Sequence, residues 1–184
     1  MNKIIIFILI AFLTKSHLLL AESNWITKKT LDTKIEGVCT TSMNIKELNL
    51  EADKFYDDNI YNQSFKCGLI AANKGDAYAQ GNVGWHFQTG NGVEKNLETA
   101  FQYCNKSAMQ GLPRAQNNLA HMYADGLGVK QDYVLSYKWA SLAYMNGYPS
   151  IKLLNQSKNK LNDEELSYGN KLINDYLRRN MNER

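Results

Sequence analysis

Residues 75–110 read GDAYAQGNVGWHFQTGNGVEKNLETAFQYCNKSAMQ, and residues 111–146 read GLPRAQNNLAHMYADGLGVKQDYVLSYKWASLAYMN. The second stretch repeats the first at an offset of 36 residues. Matched pairs include Gly75/Gly111, Ala79/Ala115, Gln80/Gln116, Asn82/Asn118, Phe87/Tyr123, Gly90/Gly126, Gly92/Gly128, Val93/Val129, Asn96/Asp132, Tyr103/Trp139 and Met109/Met145. Gly147 stands where a third copy would open. A period of this size marks helical solenoids, whose units bury their apolar faces on one another.

Each copy reads as two helices. Ala79, Val83 and Phe87 lie four apart, as do Ala115, Leu119 and Tyr123, and that spacing puts them on one helical stripe. Gly90 and Gly126 follow, where a left-handed C-terminal cap favours glycine. The Gly-x-Gly-Val run is then a turn with its valine tucked inward. Asn96 and Asp132 suit the N-cap of the second helix. That helix buries Ala100, Phe101 and Tyr103 in one copy and Ser136, Tyr137 and Trp139 in the other. The glycine-rich turn is not a phosphate loop, because no strand precedes it and no Gly-Lys-Ser/Thr follows.

The run Ala115-Gln116-x-Asn118-Leu119-Ala120-x-Met122-Tyr123-x-x-Gly126-x-Gly128-Val129-x-x-Asp132, followed by Trp139-Ala140-x-x-Ala143 and Gly147, resembles a Sel1-like repeat. That family is a subclass of the tetratricopeptide-like α-solenoids. The first copy departs mildly, with Gly84, Asn96 for Asp and Tyr103 for Trp. With flanking partial repeats, the resemblance covers residues of about 46 to 180.

Upstream, Leu48 to Lys74 reads as a first helix pair in the same register: Phe65 aligns with Phe101 and Tyr137, and Cys67 with Tyr103 and Trp139. Downstream, Pro149 breaks the chain, Ser150 is placed to cap a short helix from Ile151 to about Lys158, and Asn162 to Glu165 resembles a capping box. A last helix follows to about Asn180, with Leu166, Leu172, Ile173, Tyr176 and Leu177 as its contacts. The fold class expected is all-α: a right-handed αα-solenoid of about three Sel1/tetratricopeptide-like helix pairs with a C-terminal capping helix. The expected division is a signal peptide at 1–21, an N-terminal arm at 22–45, repeats at 46–147 and capping helices at 148–184.

The leader rests on Lys3, the apolar run Ile4 to Leu13 and a cleavage site after Ala21. A bilayer span needs about 20 apolar residues, and this run is shorter. An uncleaved anchor is the alternative, since Leu19 is large for its place before the cleavage site. The expectation is an exported chain, periplasmic or secreted, with no stable membrane insertion once the leader is gone. Of 21 basic and 18 acidic side chains, Lys3 and Lys15 lie in the leader, so the remainder is nearly neutral. No dense Lys/Arg stripe is present, which argues against nucleic acid as a partner.

Cys39, Cys67 and Cys104 are the cysteines. In an exported protein disulfides are favoured. One bridge and one thiol, with three pairings open, stand beside the plainer reading of three buried apolar residues. His86 and His121 lie one residue out of register on successive first helices, with no Cys/His cluster beside them. Neither a metal nor a cofactor is expected.

In tetratricopeptide-like stacks, the resemblance implies, first helices line a concave groove for peptides, and an asparagine five residues before the helix aromatic bonds the ligand backbone. Asn82 and Asn118 stand in that place before Phe87 and Tyr123. Helical spacing puts Tyr78, Asn82 and Trp85 on one face and Arg114, Asn118 and His121 on the next, with Asn49 and Asp53 matching them in the first unit. Arg114 suits a ligand carboxylate. The competing reading has the asparagines bridging units and Trp85 in the core. The function expected is a non-enzymatic protein-interaction scaffold holding a protein or peptide partner in this groove. Two alternatives stand beside it. One is a weak penicillin-binding protein or β-lactamase of the cysteine-rich Sel1 type, although the paired cysteines of that type and the motifs of serine β-lactamases are missing. The other is a structural subunit of an envelope complex.

Overall fold

Side-chain caps fix where the helices begin. A computed structural model describes residues 39–182. The expected leader and most of the expected arm lie outside them. Asn44 opens α1 (Ile45–Asp57) with a reciprocal capping box to Glu47. Asp76 accepts from the Ala79 amide to open α3 (Ala77–Thr89). Asn96 and Asp132 do the same for α4 (Leu97–Met109) and α6 (Tyr133–Met145), through the amides of Thr99 and Leu135. Helix α2 (Tyr61–Asn73) has no side-chain cap, and α5 (Pro113–Asp125) begins instead on a proline, which has no amide to satisfy. Two more helices complete the described chain, α7 (Ile151–Lys158) and α8 (Asp163–Asn182). Asn162 and Glu165 form a second reciprocal box at the start of α8. Ser150 departs from its expected role as the cap of α7. Its hydroxyl donates to Asn117 Oδ1 at 2.6 Å and makes no cap bond, because it is buried against α5.

Helices of 13 residues are marginal alone in water, so their stability comes from packing. Consecutive helices pack from α1 through α7, and α8 docks on α6. The helix pairs α1–α2, α3–α4 and α5–α6 are the three units of an all-helical stack, with no strand among the described residues. The described residues from Thr41 onward cluster as one unit.

The apolar stripes read from sequence lie in the core. Ala79, Val83, Ala115 and Leu119 are buried, with Phe87 and Tyr123 half-buried beside them. Aromatic edges knit successive helices: Phe65 meets Phe87 at 5.3 Å, Phe87 stacks on Tyr103 at 5.9 Å, and Phe101 meets Tyr123 at 5.4 Å. Gly84 lets α3 approach α4, since a Cβ there would stand 3.2 Å from the Ala100 carbonyl. At the far end Tyr176 of α8 packs on Trp139 and lies within 3.4 Å of the Ala108 and Met109 carbonyls, so the terminal helix covers the last unit.

Two glutamines clamp unit to unit. Gln80 donates to the Ala72 carbonyl before it and accepts from Gln110 after it. Gln116 repeats this with the Ala108 carbonyl and Asn146. These glutamines meet backbone carbonyls between units, while Asn82 reaches the next unit through the side chain of Arg114. Asn82 and Asn118 stay on the open side.

Candidate functional site

The first helices α1, α3 and α5 contribute one residue after another to a cavity of about 580 Å³, with Ser64 and Gly68 of α2 also lining it. Of the residues picked from sequence, Asp53, Tyr78, Asn82, Trp85, Arg114 and Asn118 line this cavity together. Asn49 does not. Its amide donates to Asp76, the cap of α3, at 2.9 Å. His121 does not either. It lines a second cavity one unit further along, with Leu153, Gln156 and Ser157 of α7.

The bonding pattern within the cavity is directional. The Tyr78 hydroxyl donates to the Asp53 carboxylate, with both oxygens within 3.0 Å. Burial raises the Tyr78 pKa and the Asp53 carboxylate adds to that, so the phenol stays protonated as donor. The Arg114 guanidinium lies over the Tyr78 ring, 5.7 Å from its centre, and donates to Asn82 Oδ1. Tyr78 therefore separates the carboxylate from the guanidinium. Arg114 has several donors to spare beyond that single bond. Asn118 is half-exposed and makes no side-chain hydrogen bond among the described residues. Trp85 is 42 % exposed, so it belongs to the cavity wall and not to the core. Its indole N–H donates to the Tyr56 hydroxyl at 3.3 Å.

Tyr56, Asp57, Ser64 and Tyr148, none of them singled out from the sequence, also line the cavity, as does His86, which the sequence paired only with His121. Helical spacing does point to Tyr56, three residues after Asp53 as Trp85 is three after Asn82. His86 Nδ1 faces the Asn91 carbonyl at 2.7 Å and Nε2 faces Ser64 Oγ at 3.2 Å. A carbonyl only accepts, so Nδ1 carries the proton and Nε2 accepts from the serine. Burial lowers the His86 pKa and favours this neutral ring. A hydroxyl held by an oriented imidazole has the polarity of an activated nucleophile. Here Ser64 is 3 % and His86 2 % exposed, and the pair braces α2 against α3 and its following turn. Among the described residues no group of three His, Cys, Asp or Glu side chains is placed to hold a metal.

Cys39 and Cys67 are disulfide-bonded, and Cys104 is free and buried. No helix among the described residues is long and apolar enough to cross a membrane.

Residues 77–112 and 113–148 each match the Sel1 repeat. Two solved structures of such proteins are similar. One is a protective antigen of uropathogenic Escherichia coli strains with an SLR fold, 27 % identical, with a TM-score of 0.70 over 73 % of this chain. The other is a Sel1 repeat protein from Oxalobacter formigenes, 27 % identical, with a TM-score of 0.53 over 56 % of this chain. This chain spans 30 % of the first protein and 44 % of the second. No curated protein matches it.

Proposed function

We propose that this chain, which carries two Sel1 repeats, is a non-catalytic scaffold that holds an extended segment of a partner protein in the cavity between α1, α3 and α5. Sel1 repeats generally serve protein–protein interaction, which supports the class of partner. The observation that carries the reading is Arg114. Its guanidinium is exposed, oriented by Asn82 and the Tyr78 ring, and has no carboxylate partner among the described residues. A preoriented, unpaired guanidinium beside the uncommitted Asn118 amide suits a carboxylate together with a peptide backbone. The helices hold these groups in place before binding, so little order is lost when a ligand docks.

The chain is further proposed to act after export. The apolar run Ile4 to Leu13 supports a leader, and the bonded Cys39 and Cys67 suit an oxidising compartment. The mass of the protein recovered from its host tests this. Loss of residues 1–21 supports the leader, and the full mass with membrane retention supports the anchor.

The groove is tested with the Asn82→Ala/Arg114→Ala/Asn118→Ala variant, checked for unchanged helicity. Partners captured from envelope extract are purified and their affinities for both proteins measured. Loss of affinity in the variant supports the reading. Equal affinity overturns it and moves attention to the outer face.

A further inference from the structure

Arg114 is not the only charge at the cavity. Asp53 and Asp57, in the last turns of α1, line its opposite end. Asp53 is committed to the Tyr78 hydroxyl, and the Asp57 carboxylate makes no hydrogen bond or ion pair among the described residues. Both stand near the C-terminus of α1, where the helix dipole adds negative potential. The wall between them and the centre is aromatic: Tyr56, Tyr78 and the exposed Trp85. Lys54 is on the same helix but does not line the cavity. The two ends of one cavity thus carry opposite charge, and Tyr78 keeps them from pairing with each other.

We propose, taking this cavity as the peptide-binding surface, that its Asp53–Asp57 end is a subsite for a lysine or arginine side chain of the bound segment. The carboxylates neutralise the charge. The Trp85 face, free on its open side, attracts the cation through its ring quadrupole. Tyr56 holds the indole by accepting its N–H. The polarity fixes direction: the basic residue lies over α1 and α3, and the segment's carboxylate lies over α5 at Arg114. The contacts through Tyr78 put the Asp53 carboxylate within about 12 Å of the Arg114 guanidinium, with Asp57 one helical turn of about 5 Å further on, so about four extended residues bridge the ends. A segment with either charge reversed would place like charges together at that end, which is a barrier to wrong partners as well as an attraction for the right one.

Amide and indole resonances of the intact, isotope-labelled chain report the test. The probes are acetyl-Lys-(Ala)3 with a free C-terminal carboxylate, its norleucine analogue, and the lysine peptide as a C-terminal amide. The lysine peptide should shift the Trp85 indole and Asp57 amide and bind about tenfold tighter than the norleucine peptide at low salt. Asp57→Asn, and more fully Asp53→Asn/Asp57→Asn, should close that gap. Arg114→Gln should instead close the gap between the carboxylate and amide peptides. Equal binding of lysine and norleucine peptides at the groove would overturn the basic subsite and leave the groove standing. No groove shift with any peptide would overturn both. A Trp85 resonance that moves on dilution without peptide would overturn the subsite in favour of a second copy as occupant.

Discussion

Gly128 lies against the backbone carbonyl of Leu97, so close that a Cβ at position 128 would overlap the carbonyl oxygen. Gly92 stands in the same relation to Tyr61, one unit earlier. The second glycine of each Gly-x-Gly turn therefore seats the turn on the first residue of the preceding unit's second helix. That contact, and not a ligand, explains the motif. Gly111 also has positive φ but has open space around its missing Cβ. Gly111→Ala should cost about 1–2 kcal/mol of conformational strain. Gly128→Ala should cost at least about 2 kcal/mol more, since backbone cannot move aside cheaply. Urea unfolding of both variants checks this. Equal losses would mean that the turn relaxes off α4.

Protonation of His86 should weaken the fold. Its pKa lies below the ordinary value of about 6.5, because burial disfavours the charged ring. The neutral ring is the native form, donating to Asn91 and accepting from Ser64. Its stabilisation is complete above the unfolded value. As pH falls below about 6.5, the unfolded chain takes up the proton first, and stability declines until the folded value is reached. The slope is at most about 1.4 kcal/mol per pH unit. Stability measured from pH 7.5 to 5.5, above most carboxylate titration, should fall for the wild type. The slope should be smaller in His86→Gln. Parallel slopes would assign the pH dependence elsewhere.

The periodic parts of this architecture were legible because they depend on local rules. Spacing by four, αL glycines and Asn/Asp caps fixed the helix pairs, and α8 starts at the Asn162–Glu165 box. What was not legible depends on partners distant in sequence. Nothing near Ser150 announces that Asn117 takes its hydroxyl. Asn49 lies on the right face by spacing, yet Asp76, 27 residues on, draws it out of the cavity. His121 occupies the same repeat position as Trp85 but sits one step further along the stack, where α7 supplies the facing wall. Repeat position gives the face of a helix. Which neighbour closes a cavity over that face is a property of the whole stack.

Cys104 should behave as an inert thiol while the chain is folded. It is 6 % exposed, its Sγ contacts the Ala115 carbonyl at 3.4 Å, and burial pushes its pKa up to about 12. Only the thiolate is a good nucleophile, so alkylation near pH 8 should be slowed by roughly three orders of magnitude against an ordinary free cysteine. Without reductant, denaturation should release one reactive thiol per chain, and reduction should release two more from Cys39 and Cys67. Rapid labelling of the native protein would place Cys104 in contact with solvent and undo its assignment to the core.

Gln116 and Asn118 are two positions apart on α5 and should separate the structural from the functional amides. Gln116 is fully buried, donates to the Ala108 carbonyl at 3.3 Å, and accepts from Asn146 at 2.9 Å. Gln116→Ala removes these bonds and opens space between units, at a cost of about 2–3 kcal/mol. Asn118 has no side-chain partner among the described residues and faces the cavity. Asn118→Ala should change stability by less than about 0.5 kcal/mol while weakening the ligand. The physical reason is that a solvated amide loses nothing in the free protein when it is removed, whereas a ligand that would have bonded it loses a partner. Denaturant titration of the two variants, beside their affinity for the lysine peptide, makes the distinction. An Asn118→Ala loss above about 1 kcal/mol with unchanged binding would return that asparagine to the scaffold. It would leave Arg114 alone to carry the carboxylate end of the groove.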